Sequence, residues 1–150
     1  MTKDVIVGVT GLQFTGEDNA ESLEMIAPGE YYQKNGKHYL KYEEVLEGFP
    51  DTNKNLVKIE PGKVEVTKRG LTNMNMIFEE NKKHVSCYQT PFGELILGIA
   101  GGPITIEESE NKLFVRAHYT LDINYEHVSD CVIEITAHSK ENGEFSFHNI

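Results

Sequence analysis

Several residue types are scarce in this chain of 150 residues, and each scarcity excludes a class of protein. There is no Trp, and the two cysteines, Cys87 and Cys131, form no CxxC pair and match no zinc-binding spacing. No apolar run is long enough to span a membrane, and the N-terminal residues lack the apolar core of a signal peptide. We therefore expect a cytoplasmic protein with reduced thiols that does not associate with membranes.

Basic residues are also in short supply, because 14 Lys and Arg face 24 Asp and Glu and leave a net charge of −10. No basic run exists, so the phosphates of a nucleic acid would be repelled. The aromatic and basic stretch from His38 to Tyr42 could stack on bases, but Glu43 and Glu44 follow it directly. We predict that this protein does not bind nucleic acid.

The sequence further lacks the 3.6-residue apolar period of a helix in any window of about eleven residues. Apolar residues alternate with polar ones instead, and turn residues recur at intervals of about 8 to 12 positions. The strongest turn signal is Asn35-Gly36, because both residues tolerate the positive φ that a two-residue hairpin requires. This pattern predicts an all-β protein.

The predicted topology follows from the short connections between the predicted strands. Strands joined by hairpins pair with their neighbours in the sequence, and a long meander removes its exposed edges best by closing on itself. We therefore predict a single domain over residues 1–150 that forms a closed antiparallel up-and-down β-barrel of about eight to ten strands.

The most informative stretch runs from Lys63 to Gly93, because it places a cation in line with apolar residues. The residues at alternate positions, which would share one face of a strand, are Val64, Val66, Lys68, Gly70, Thr72, Met74, Met76 and Phe78. If the apolar members point inward, Lys68 does too, and an isolated buried charge is very costly. Partners for it would be Glu43, the hydroxyl of Tyr39 or Tyr119, or a bound anion.

The first function hypothesis is a small-molecule pocket at one mouth of the barrel, which would take a small ligand, anionic if it is the partner of Lys68. We predict that it is lined by Tyr39, Lys68, Met76, Tyr88, Phe92 and Tyr119. Two alternatives stay open for Lys68. It forms a purely structural ion pair, or a bulge at Gly70 shifts the parity and turns it outward.

The second hypothesis is a protein interaction or assembly module, including a homodimer, that uses the outer face of the barrel. Apolar side chains of outward parity would form its patch, namely Ile26, Ile96, Phe114 and Val132. An enzyme ranks third, because His84 and the one candidate nucleophile, Cys87, have opposite parity and would point apart. The six histidines show no HxH or HxxxH spacing, so we predict no metal and no cofactor.

One group of motifs follows the order of a known family over nearly the whole chain. The matching residues are Tyr31-Tyr32, Tyr39-Leu40-x-Tyr42-Glu43-Glu44, Lys68-x-Gly70-x-x-x-Met74-x-x-x-Phe78, Tyr88-x-Thr90-Pro91-Phe92-Gly93-Glu94-Leu95 and Tyr119-x-Leu121. They resemble the YwiB-like family of small bacterial proteins of unknown function. The resemblance implies a calycin-like barrel, similar to lipocalins and streptavidin, and implies no activity, cofactor or catalytic residue. That family usually has Arg two residues before the glycine, where this chain has Lys68, so a role that needs a planar bidentate group is not expected.

Overall fold

The structure, a computed structural model, describes residues 3–11, 24–45, 48 and 50–140. These residues form ten strands: β1 (Asp4–Thr10), β2 (Glu24–Lys34), β3 (Lys37–Val45), β4 (Thr52–Glu60), β5 (Lys63–Arg69), β6 (Met74–Glu79), β7 (Lys83–Thr90), β8 (Gly93–Glu108), β9 (Lys112–Ile123) and β10 (Glu126–Ser139). Within those ranges no helix is long and apolar enough to cross a membrane.

Two hairpins have the left-handed turn residues that a two-residue loop demands. Asn35 (φ 54°) and Gly36 (φ 77°) join β2 to β3, which confirms the predicted turn. Asn124 (φ 50°) and Tyr125 (φ 70°) join β9 to β10 in the same way, although this pair was not a sequence signal. Both central residues have positive φ, as in type I′ turns, whose twist matches that of the flanking strands.

All ten strands belong to one antiparallel sheet, in the order β6-β5-β4-β3-β2-β1-β10-β9-β8-β7. Most strands pair with their neighbours in the sequence, and β1 also pairs with β10, with Val7 opposite Ala137. The predicted all-β barrel of about eight to ten antiparallel strands is confirmed. The two ends of the described chain therefore meet in the middle of the sheet, and its edges lie at β6 and β7.

The barrel is nearly closed, and its seam lies between β6 and β7. At one end Asn73 and Gln89 exchange two backbone hydrogen bonds of 2.8 Å. At the other end the amide of Asn81 donates to the Gly101 carbonyl at 3.1 Å, and the Gly101 amide donates to the Lys82 carbonyl at 2.9 Å. Between these two points the described residues of β6 and β7 form no ladder.

A second opening lies between β2 and β3, at Pro28. The β2–β3 ladder begins with Gly29 opposite Tyr42, so the earlier residues of β2 pair with β1 alone. Proline has no amide hydrogen to donate to β3, which explains why pairing stops there. Beyond this point β3 continues to pair with β4 but no longer pairs with β2.

Side chains fill the middle of the barrel. Alternate residues of the strands point inward, and the largest fully buried ones are Leu40, Ile59, Met76, Phe78, Leu97 and Ile99. Every strand except β7, all of which is described, contributes a buried hydrophobic residue to this cluster. A small barrel has room inside for little more than its own side chains, so the interior is a packed core.

Candidate functional site

Polar side chains collect on the inner surface at one end of the barrel, where the apolar core stops. One row of directly paired residues crosses β3, β4 and β5 and contains Tyr42, Asn55 and Lys68. We use the name polar mouth for this region, which consists of Tyr42, Glu44, Asn53, Asn55, Lys68 and Tyr88. Along their strands, all six lie on the same face as buried or half-buried residues, so the inward face of the barrel is polar at this end.

Lys68 points inward and is paired. Its ammonium lies 2.9 Å from the carboxylate of Glu44, and the two side chains are 13% and 25% exposed. The sequence left the direction of Lys68 open. In the structure it points inward, and it pairs with Met74 in the β5–β6 ladder without a shift in register. The partner is Glu44, whereas the expected Glu43 has the opposite parity and accepts a hydrogen bond from Thr52 on the outside.

Two buried asparagines in the polar mouth differ in their hydrogen bonding. The Asn53 side chain accepts the backbone amide of Thr72 at 2.9 Å, and its amide group lies 3.4 Å from the Glu44 carboxylate. Asn55 is only 3% exposed, and neither its side-chain nitrogen nor its oxygen has a hydrogen-bond partner among the described residues. Leaving such groups unpaired usually costs about 1–3 kcal/mol, so the Asn55 amide is costly as it stands.

Tyrosine hydroxyls complete the polar mouth. Burial, and then the nearby Glu44 carboxylate, raise the pKa of Tyr42 well above its usual range. The same two causes raise the pKa of Tyr88. Both tyrosines are therefore neutral at physiological pH and can donate hydrogen bonds next to an ion pair.

The six residues predicted to line one pocket separate into three groups. Lys68 and Tyr88 lie in the polar mouth, and Met76 is fully buried one row deeper, opposite Val66. Two predicted lining residues lie outside the barrel, which corrects the sequence interpretation. Tyr39 alternates with the buried His38 and Leu40 and so faces outward, and Phe92 is 89% exposed at the tip of the β7–β8 hairpin.

Tyr119 belongs to a different part of the interior. Its ring packs edge-on against Phe78, with 4.8 Å between the centroids. Burial, and then the adjacent Cys131 thiol, raise the pKa of its hydroxyl. The thiol is near, but the hydroxyl completes no hydrogen bond with a described residue. Tyr119 thus lies in the core instead of facing the ion pair.

The opposite mouth has a polar cluster that sequence reasoning missed. The Tyr31 hydroxyl lies 2.7 Å from Nδ1 of the buried His38, and Nε2 of that ring lies 3.7 Å from Glu108. His38 shares parity with Leu40 and Tyr42, which is the signal that would have revealed an inward histidine. Because its partners are all supplied by the protein, this cluster closes the end of the core.

The geometry around Cys87 does not support the thiol chemistry that was considered from the sequence. Cys87 is exposed on the outer face, while His84 points inward to the Glu79 carboxylate at 2.9 Å. Partial desolvation, and then the neighbouring Glu94, raise the pKa of the Cys87 thiol, which lowers its thiolate fraction. In the parts of the chain that the structure describes, no group of three or more His, Cys, Asp or Glu side chains could hold a metal.

These features define an antiparallel ten-stranded β-barrel with a packed core and polar side chains at both mouths. The chain belongs to the family of the domain of unknown function DUF1934, whose model matches residues 7–135. It is 31% identical over 110 residues to the uncharacterised β-barrel protein YwiB of Bacillus subtilis strain 168, an alignment that covers 73% of this chain and 76% of that protein. The crystal structure of the ywiB protein from Bacillus subtilis superimposes with a TM-score of 0.75 at 27% identity, over 91% of this chain and 92% of that one.

Proposed function

We propose that this protein is a non-enzymatic binding barrel whose polar mouth takes a small carboxylate that also carries N–H donors. The observation that supports the proposal is the buried Asn55 side chain, which offers both a donor and an acceptor that no described residue uses. Both atoms are shielded from solvent, so a ligand would first displace a neighbouring side chain of the polar mouth, and its amide or amino group and its carboxylate would then satisfy both atoms. The adjacent Glu44–Lys68 pair presents both signs of charge to the same ligand.

The packed core limits the size of this ligand. Phe78, Leu40 and Met76 are fully buried below the polar mouth, so the ligand would sit at the rim instead of filling the barrel. A ligand enclosed in the barrel interior, as in lipocalins, would need the volume that these side chains occupy. The likeness to calycins therefore remains a prediction about shape and supplies no ligand.

The first test is a native mass spectrum of the protein purified from its own organism, beside the denatured mass. We expect an extra mass of a small molecule that disappears on denaturation. Thermal melting with a panel of free amino acids and simple carboxylates would then identify the class. If the protein carries no extra mass and no compound of the panel raises the melting temperature, the proposal is wrong.

Asn55→Leu separates binding from folding. Replacing an unpaired buried amide with an apolar side chain of similar size removes a desolvation penalty, so we expect the ligand-free protein to gain about 1–3 kcal/mol of unfolding free energy. The same variant should lose the ligand-induced rise in melting temperature. A matched change is Lys68→Met with Glu44→Gln, which removes both charges together and leaves neither one unpaired.

The alternative, an apolar interaction patch on the outer face, receives less support. Ile26 and Phe114 lie in one cross-strand row with Gly8 and Thr136 between them, at roughly 14 Å for three strand spacings. Arg116 lies over the Phe114 ring, 5.3 Å from its centroid. Val132 and Ile96 lie in other rows, so the four residues form no contiguous patch.

A further inference from the structure

The end of the β7–β8 hairpin that lies at the polar mouth is a two-stranded ribbon. Within residues 88–95, which we call the flap, β7 and β8 pair with each other, and the ladder between β8 and β9 begins only at Leu97. Toward β6, the described chain gives the flap one backbone bridge, in which Asn73 and Gln89 exchange two hydrogen bonds of 2.8 Å. A two-stranded hairpin alone is marginally stable in water, so the position of the flap depends on this bridge.

The two sides of the bridge differ in how firmly they are held. All other strands contribute a buried hydrophobic residue to the core, but β7 contributes none. On the β6 side, the Asn73 side chain accepts the Gly70 amide at 3.3 Å and donates to the Gly70 carbonyl at 3.0 Å. Regions with few buried apolar contacts are the ones that open locally, so breaking the bridge moves the flap and leaves β6 in place.

Tyr88 is the residue that joins the flap to the polar mouth. The bridge sets Tyr88 opposite Met74 on the inner face, and Met74 is also the β6 partner of Lys68. The row of inward residues that contains Lys68 therefore continues across the seam to Tyr88. Burial, and then the Glu44 carboxylate, raise the pKa of Tyr88, in agreement with a position beside the ion pair.

A ligand reaches Asn55 only after a side chain of the polar mouth has moved, because both polar atoms of the Asn55 side chain are shielded from solvent. Its cross-strand partners, Tyr42 and Lys68, lie on β3 and β5, which continuous ladders join to β4. The backbone next to Tyr88, in contrast, is joined to β6 by two hydrogen bonds. We propose that the flap is the gate of the polar mouth, and that it opens at the bridge and carries Tyr88 away from Asn55. This inference rests on the proposed binding function and adds the route by which the ligand enters.

The test measures how fast iodoacetamide alkylates a thiol inside the polar mouth, and it needs no ligand. The reporter protein carries Asn55→Cys with Cys87→Ser and Cys131→Ser, so that it has a single thiol, and the intact mass gives the rate. That rate follows the population of the open state. Gln89→Pro removes the amide hydrogen that is donated to the Asn73 carbonyl. We expect this change to raise the rate about fivefold or more, the factor that a typical hydrogen bond contributes.

The matched control is Cys87→Pro in place of Cys87→Ser. The amide of Cys87 points to the same edge as that of Gln89, but no described residue of β6 accepts it, so the rate should change less than about twofold. A second reporter, Val57→Cys in place of Asn55→Cys, puts the thiol at a fully buried position of β4, where Gln89→Pro should have no effect.

Three results would overturn the gate. They are an unchanged rate at position 55 in Gln89→Pro, an equal acceleration by Cys87→Pro, and an equal acceleration at position 57, which would mean that the whole barrel unfolds. None of them bears on whether the polar mouth binds a ligand, because the binding proposal is decided by the native mass spectrum and the melting panel. A missing ligand, in turn, leaves the alkylation rates as they are.

Discussion

Glu79, the last residue of β6, makes the stability of the seam depend on pH. The hydrogen bond with His84, and then the ammonium of Lys82, lower the pKa of this carboxyl. A lowered pKa means that the stabilisation is present above the ordinary glutamate value of about 4.3 and is lost as the pH falls through the folded-state value.

We therefore expect the unfolding free energy of the wild type to fall more steeply below about pH 4.5 than that of Glu79→Gln. His84→Phe removes the main cause of the shift and should flatten the curve to a similar degree. The measurement is urea unfolding at a series of pH values from about 6 to 3. Parallel curves for all three proteins would show that Glu79 does not contribute.

Single residues also mark how far sequence reasoning reaches. The inward position of Lys68 follows from parity, because the glycine bend keeps the register between β5 and β6. Its partner was missed, although Glu44 shares the parity of Leu40 and Tyr42 and Glu43 does not. The unpaired Asn55 amide has no signal in the sequence, because hydrogen bonding is decided by neighbours on other strands.

At the scale of the elements, the turn between β6 and β7 closes one end of the seam through backbone hydrogen bonds with Gly101 of β8. A Cβ at Gly101 would overlap the main-chain oxygen, carbon and nitrogen of Glu79. We expect Gly101→Ala to lower the unfolding free energy by about 1–3 kcal/mol, because the backbone must move to relieve the overlap. At Gly102 the nearest atom to an added Cβ is the His118 carbonyl oxygen at 3.3 Å, so Gly102→Ala is the control and should cost less. Chemical denaturation of both variants checks this, and equal losses would contradict it.

Strands and turns were the part of the fold that the sequence predicted best. Alternation identifies the inner face of most strands, and Asn35-Gly36 fixes one turn. The position of the seam was not predictable, because β6 and β7 follow each other and a short turn joins them, which normally indicates a paired hairpin. β6 and β7 form no ladder because the turn between them pairs with Gly101 instead, and this is a contact between residues far apart in the chain.

The whole molecule carries a net charge of −10, and the resulting repulsion opposes its compact state. We expect sodium chloride to raise the melting temperature, because the Debye length shrinks from about 30 Å at 0.01 M to about 10 Å at 0.1 M. Each kcal/mol gained should appear as about 2–4 °C for a chain of this size. Exposed ion pairs weaken in salt as well, but each is worth only about 0–1 kcal/mol. Melting curves at increasing salt test this, and a falling melting temperature would show that those pairs outweigh the repulsion.

The central ladder between β1 and β10 determines when the sheet can be completed during synthesis in the cell. Thr10 pairs with Glu134, so β1 leaves the ribosome about 125 residues before its partner does. At roughly 5–20 residues per second, β1 waits roughly 6–25 s with one edge unpaired. Among the described strands, β1 is thus one of the last to have both edges paired, and its free edge remains open to other strands until β10 has been synthesised.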